Sequence, residues 1–219
     1  MCKILVTAAT LHELKFIDGA DNVTVAATGV GIASTAYNLA KLLHDRYDFV
    51  LNIGIAGSFS DRLNIGDVTA VYSETFGDFG VSFPCGMTKE IGFSTCFEAN
   101  IIPANMFPFT NGSLISGEAE KISRNLSVPL AKGVTNNTVS GENSLIKRMR
   151  DKFSPDIETM EGAAFFYVCL CENIPFVEIR SISNMVESRN KSGWDIPLAI
   201  KNLSEKVNLF IAAKSQEYD

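Results

Sequence analysis

The chain has 219 residues, of which 46% are hydrophobic and 20% charged, and its formal net charge is −6. That length can bury one α/β core, the composition excludes a disordered chain, and the acidic balance argues against a nucleic-acid partner. With no apolar run of roughly eighteen residues and no signal-like stretch at the N-terminus, no membrane association and a cytoplasmic location are expected.

Residues 3–9 are an apolar, β-branched run that predicts a buried first strand. Thr10-Leu11-His12-Glu13 follows, with Thr10 as N-cap and Glu13 at the capping-box position. Glu13 reads equally as a carboxylate at the carboxyl end of that strand, where ligands bind in open parallel sheets. Residues 21–28 predict a second strand, paired with the first as a hairpin. Gly29-Val30-Gly31 opens a small-residue helix running to about His44. It lacks the third glycine of a dinucleotide fingerprint, and no Walker lysine follows, so no cofactor is expected. Residues 49–53 predict a buried strand that stops at Gly54-Ile55-Ala56-Gly57-Ser58, where small residues let backbone approach a ligand. A strand at 68–73 leads into a loop over 74–80.

Residues 81–115 are the least regular, with Pro84, Pro103 and Pro108 among Phe83, Phe93, Phe97, Phe107 and Phe109. Such a region serves as a lid, as an oligomer interface, or as loops pinned to the chain's own core. Residues 128–134 predict a short strand interrupted by Pro129, which places it at an edge or under strain. A polar loop, Thr135-Asn136-Asn137-Thr138-Val139-Ser140-Gly141, precedes an amphipathic surface helix over 142–153. Residues 156–160 predict a strand entering a very apolar helix, and Glu161 falls at the junction. First-turn helix electrostatics and a carboxylate aimed at substrate hydroxyls both account for that acid. Residues 175–184 predict a strand ending in Ser183-Asn184. The spacing of Ile196, Ala199, Ile200, Leu203, Val207, Phe210 and Ile211 predicts a C-terminal amphipathic helix, with Asp195 as its N-cap. The five cysteines (Cys2, Cys85, Cys96, Cys169, Cys171) form no CxxC pair and there are only two histidines, so neither a disulfide framework nor a metal site is supported.

Three motifs now stand in order: Thr10-Leu11-His12-Glu13; Asn52-Ile53-Gly54-Ile55-Ala56-Gly57-Ser58 followed by Ile65-Gly66-Asp67-Val68; and Glu158-Thr159-Met160-Glu161-Gly162-Ala163-Ala164 followed by a strand ending Ser181-Ile182-Ser183-Asn184. On these the chain resembles the nucleoside phosphorylase/nucleosidase (purine phosphorylase type I) family over essentially its whole length. The resemblance implies an α/β fold, a three-layer α/β/α sandwich with a central mixed sheet, in a single domain over residues 1–219. It also implies a small-molecule nucleoside as substrate and a homo-oligomer, at least a dimer. The segment Ser183 to Trp194 and the short chain are similar to the futalosine-hydrolysing branch, which releases hypoxanthine in an alternative menaquinone pathway. The methylthioadenosine/S-adenosylhomocysteine nucleosidases are the nearest alternative, with a purine nucleoside phosphorylase or a nucleoside-binding module without turnover behind them.

By position, the resemblance makes Glu13 the water-activating carboxylate and pairs Met160 and Glu161 at the ribose, the thioether packing and the carboxylate accepting from hydroxyls. It puts Ser183 and Asn184 at the purine, Thr138 and Val139 along the base, and Ser58 at the second glycine loop. The chemistry fits, because breaking an N-glycosidic bond builds positive charge on the ribose ring and negative charge on the departing purine. The alternative nucleosidases carry aspartic acid at position 184, suited to a 6-aminopurine. An amide there can donate to the N7 and O6 acceptors of a 6-oxopurine. No arginine lies in the loops 29–35 or 52–58, so hydrolysis is favoured over phosphorolysis.

Overall fold

Ile4, Val6 and Ala8 face one side of the first strand and Leu5 the other, and all four are buried, so this sheet must be covered on both faces. The computed structural model describes residues 2–84, 91–188 and 193–216. In chain order it contains β1 (Ile4–Ala8), α1 (Leu11–Leu14), β2 (Val23–Ala27), α2 (Ile32–Leu42), β3 (Phe49–Ser58) and β4 (Val68–Glu74). Then come β5 (Gly80–Pro84), β6 (Ile91–Thr95), β7 (Leu114–Ile115), α3 (Ala119–Leu126), β8 (Leu130–Thr135) and α4 (Asn143–Phe153). The chain finishes with β9 (Ile157–Thr159), α5 (Gly162–Cys171), β10 (Phe176–Met185) and α6 (Ile196–Gln216).

The central sheet is mixed, in the order β2-β1-β3-β9-β8-β4-β10. β10 also pairs with β3, so β3, β9, β8, β4 and β10 close into a ring that β1 and β2 extend. Helices α1, α3 and α6 bury Leu14, Ile122, Leu126, Leu203, Val207 and Phe210 against one face. Helices α2 and α5 cover the other with Leu39, Phe165, Phe166 and Cys169. Phe165, Phe166 and Phe176 pack edge to face in that second layer. Each such buried ring contributes about 1.5–3 kcal/mol relative to exposure. Helix α4 closes a third cluster through Ile146, Met149 and Phe153.

Several local expectations change. β2 lies parallel to β1, from Ile4↔Val23 to Ala8↔Ala27, and is not its hairpin partner. Helix α1 and the residues after it return the chain to the start of β1, the crossover that parallel pairing requires. Pro129 is not at a sheet edge. β8 begins one residue later, between β4 and β9, and the Pro129 carbonyl accepts from the Ala70 N–H and the Thr69 hydroxyl at 3.0 and 2.7 Å. β3 does not stop at Ile53 but continues to Ser58, because β10 pairs with it as far as Met185↔Ser58. Glu74, expected in a loop, is the buried last residue of β4.

The 81–115 region divides. β5 and β6 form an antiparallel hairpin. Phe97 and Phe109 join Phe76, Phe79 and Tyr167 in an aromatic cluster on the chain's own core, whereas Phe83 and Phe107 are exposed. Cys85 lies outside the described residues.

Candidate active site

The capping box after β1 sets the position of the first carboxylate. Glu13 is 7% exposed, and its Oε2 accepts from the Thr10 N–H at 3.0 Å and the Thr10 hydroxyl at 2.8 Å. Its Oε1 reaches across to accept from the Ile55 N–H of β3 at 3.3 Å. Capping and a place at the strand end are therefore one arrangement, in which one oxygen holds the turn and the other faces inward.

Glu161 immediately precedes α5 and is 6% exposed. Its Oε1 accepts from the Gly31 N–H at 3.0 Å. Gly31 has φ +87°, a left-handed conformation that favours glycine, and this turn aims its N–H at the carboxylate. Glu161 Oε2 lies 4.0 Å from Nη1 of Arg180.

Arg180 was not anticipated at the site. It sits in the middle of β10, 1% exposed, donating from Nε to Glu178 Oε1 at 2.6 Å and from Nη2 to Asn52 Oδ1 at 2.7 Å. Its Nη1 fills the space over Gly54, where a Cβ would fall 2.1 Å from that nitrogen and 2.8 Å from Glu13 Oε1. An arginine thus does reach the glycine segment, from a strand more than a hundred residues away. Burial alone would lower its pKa, but the charges of Glu178, Glu161 and Glu13 more than reverse this and hold the guanidinium above its ordinary value. The only sequence signal was a charged pair, Glu178-x-Arg180, in an otherwise apolar strand. Gly54→Ala is accordingly expected to lower kcat at least tenfold and to cost about 1–3 kcal/mol of stability, measured by steady-state kinetics and denaturant unfolding.

At the other end, a register shift in β10 between Ile182 and Asn184 re-aims the strand end. The Ser183 hydroxyl donates to Asn184 Oδ1 at 2.8 Å, and Asn184 Nδ2 donates to the Met185 carbonyl at 3.1 Å. The Met185 carbonyl can only accept, so it fixes the amide orientation, with Oδ1 toward Ser183 and one Nδ2 hydrogen uncommitted. Gly57 makes room, since a Cβ there would lie 3.2 Å from Nδ2.

These groups line a cavity of about 340 Å³. Glu13, Val139, Met160, Glu161, Ser183 and Asn184 all contribute to it, and Trp194 and Ile196 close it where α6 begins. Glu158 holds the loop that carries Val139, its carboxylate accepting from Asn136 Nδ2 at 2.9 Å, the Ser140 hydroxyl at 2.6 Å and the Ser140 N–H at 2.8 Å. Thr138, in the same loop, is exposed and does not line the cavity. Ser58 does not line it either. Its hydroxyl donates to the Ser60 carbonyl at 2.9 Å and accepts from the Ser60 N–H at 3.1 Å, closing the turn after β3.

Two buried carboxylates and an amide lining one cavity, with a buried guanidinium beside the carboxylates, supply what cleavage of a glycosidic C–N bond demands. The class so defined is the nucleosidases, enzymes that act on N-glycosidic bonds. The chain belongs to the phosphorylase superfamily, whose family model matches residues 7–212. Futalosine hydrolase of Thermus thermophilus is 27% identical over 186 residues, 84% of this chain and 79% of the relative. Futalosine hydrolase of Streptomyces coelicolor is 30% identical over 207 residues, 90% and 80% of the two chains. The 5'-methylthioadenosine/S-adenosylhomocysteine nucleosidase of Glaesserella parasuis is 25% identical over 85% of this chain and 79% of its own. Among solved structures, futalosine hydrolase of Helicobacter pylori superposes with a TM-score of 0.79 at 15% identity, covering 97% of this chain and 100% of that one. The nucleosidase of Colwellia psychrerythraea in complex with adenine gives 0.75 at 20%, covering 94% and 93%. The likeness to these structures establishes the fold.

Proposed function

We propose that this enzyme hydrolyses the N-glycosidic bond of futalosine, a 6-oxopurine nucleoside, releasing hypoxanthine and dehypoxanthine futalosine for menaquinone biosynthesis. The observation that carries the choice of base is the Asn184 amide. With Oδ1 taken by Ser183, its free hydrogen is on Nδ2, and a donor matches the N7 and O6 acceptors of hypoxanthine. Opposing a donor such as a 6-amino group leaves a buried polar group unpaired, at about 1–3 kcal/mol. The futalosine hydrolases among the relatives support the same reading.

In this mechanism Glu161 accepts from the ribose hydroxyls and stabilises the positive charge that develops on the ring, with the Met160 side chain against the sugar. Glu13 takes a proton from the attacking water, whose oxygen bonds to the anomeric carbon as the C–N bond breaks. The electron pair leaves with the purine, whose negative charge Asn184 stabilises by donating a hydrogen bond; the purine anion then takes a proton from solvent and Glu13 returns its proton to solvent. Arg180 does not make this a phosphate site. Glu178, Glu161 and Glu13 surround one guanidinium, so the local field is negative and opposes a phosphate dianion.

Release of free base from futalosine, inosine and methylthioadenosine, each with and without phosphate, tests the proposal. Hypoxanthine from futalosine as the preferred reaction supports it. Adenine from methylthioadenosine as the main product would move the enzyme to the activity named for the relatives at 25% identity. Asn184→Asp is expected to shift kcat/KM toward 6-aminopurine nucleosides by about tenfold or more. An unchanged base preference would remove Asn184 from base selection.

A further inference from the structure

Behind the cavity, under the first turn of α5, two further glutamates are buried and take no part in the mechanism above. Glu74 on β4 and Glu178 on β10 are both fully buried. Glu74 Oε1 and Glu178 Oε2 lie 2.3 and 2.7 Å from the point a Cβ on Gly162 would occupy, so glycine is what lets the two carboxyls share that space. Glu178 Oε1 is bound to Arg180, while Glu178 Oε2 has no hydrogen-bond partner among the described residues.

The orphaned oxygen of Glu178, rather than the hydroxyls, bears on the protonation. Thr135 Oγ1 lies 2.8 Å from Glu74 Oε2 and 2.8 Å from Thr159 Oγ1, and Thr159 Oγ1 lies 3.3 Å from Glu74 Oε1. Each hydroxyl also accepts a backbone N–H from the start of α5, Ala163 to Thr135 at 2.8 Å and Gly162 to Thr159 at 3.1 Å. Two hydroxyl hydrogens cannot serve three contacts. With Glu74 ionised, Thr159 donating to Thr135 and Thr135 to Glu74 Oε2 serves both 2.8 Å contacts, but two buried carboxylates then face the same space and nothing among the described residues donates to Glu178 Oε2. With a proton on Glu74 Oε1, Glu74 donates to Glu178 Oε2, Thr135 donates to Glu74 Oε2 and Thr159 donates to Thr135. Both 2.8 Å hydroxyl contacts keep their hydrogens, and the orphaned Glu178 Oε2 gains a donor from the carboxyl beside it.

We infer that Glu74 is a protonated carboxylic acid that donates to Glu178, and that the pair is a positioning device holding Arg180, and through it Glu13 and Glu161, in the working arrangement. The charges facing Glu74 agree. Burial first and the Glu178 carboxylate second push its pKa well above the ordinary range, and the hydrogen bonds from Thr135 and Thr159 and the charge of Arg180 reverse only part of this. Burial also raises Glu178, against the pull of Arg180. The proton rests on Glu74 because Glu178 has a guanidinium at 2.6 Å to hold its charge. Among the described residues, Glu161 at the head of α5 also acts on Glu178 and raises its pKa further.

The positioning role rests on the proposed reaction, whereas the proton does not, and the two are tested apart. Infrared difference spectra between the wild-type enzyme and Glu74→Gln at pH 7, without substrate, should contain the carbonyl stretch of one protonated carboxylic acid; absence of that band overturns the assignment. Because the folded pKa of Glu74 lies above the ordinary 4.5, its stabilising contribution is complete below that pH and is lost as pH rises through the folded value. The melting temperature of wild type relative to Glu74→Gln should therefore fall with rising pH across that window. In catalysis, Glu74→Leu should lose at least tenfold in kcat with little change in KM, and Glu74→Gln, which keeps a neutral donor, should restore most of it. The wild-type kcat should decline on the alkaline side in a limb that Glu74→Gln lacks. The same limb in both proteins would sink the positioning role, even if Glu74→Leu failed to fold.

Discussion

Glu13→Gln is expected to lower kcat by about three orders of magnitude while leaving the affinity for an unreactive nucleoside analogue within a few-fold of wild type. The amide keeps the shape of the side chain, and its oxygen can still accept from Thr10 as the capping carboxylate does at 3.0 and 2.8 Å. The turn after β1 should therefore survive, and what is lost is the base. An amide cannot take a proton from water, and a water left neutral is a poor nucleophile even toward a cationic ribose. Rapid-quench kinetics for the chemical step and calorimetry for binding separate the two effects. Normal turnover in this variant would remove Glu13 from the mechanism.

The second large effect is expected at Glu161. Glu161→Gln should lower kcat/KM by about two to three orders of magnitude, with weaker ground-state binding as well. Its carboxylate is gripped on one side only, by the Gly31 N–H, and its other oxygen lies 4.0 Å from Arg180. Replacing it with an amide removes the negative charge that opposes the developing cation. It also turns an NH2 group toward the guanidinium, so Arg180 loses one of the three carboxylates that hold it. A change confined to KM would mean that Glu161 only binds ribose and does not stabilise the transition state.

Residues at strand ends were the legible part of this site. Glu13, Glu161 and Ser183-Asn184 each sit where an apolar run stops and a turn or helix begins, and that local pattern is readable without knowing which strands are neighbours. Arg180 and Glu74 were not legible, because their meaning lies in what they touch. Arg180 matters through Gly54 and Glu13, and Glu74 through Gly162 and Glu178, and only the closure of β3, β9, β8, β4 and β10 into a ring brings them together. Pairing direction was hidden for the same reason. Residues 21–28 look alike as a hairpin partner or a parallel neighbour, and the return of the chain through α1 decides between them. Ser58 and Thr138 illustrate the limit of carrying positions across a resemblance. The backbone at both places lies near the cavity, but one hydroxyl closes a turn onto Ser60 and the other side chain is exposed. The mixed sheet and its two helical layers were expected from the resemblance, and the parallel β3–β10 pairing gives them a closed form that the order of strands in sequence does not suggest.

Water as the nucleophile is the centre of this account, and the rate of hypoxanthine release from futalosine across a phosphate titration from zero tests it most directly. The predicted result is full turnover without phosphate, no acceleration as phosphate rises, and a free sugar as the second product. A rate that requires phosphate, with a sugar 1-phosphate as product, would contradict the assignment of Glu13 and place the enzyme with the phosphorolytic members of its superfamily.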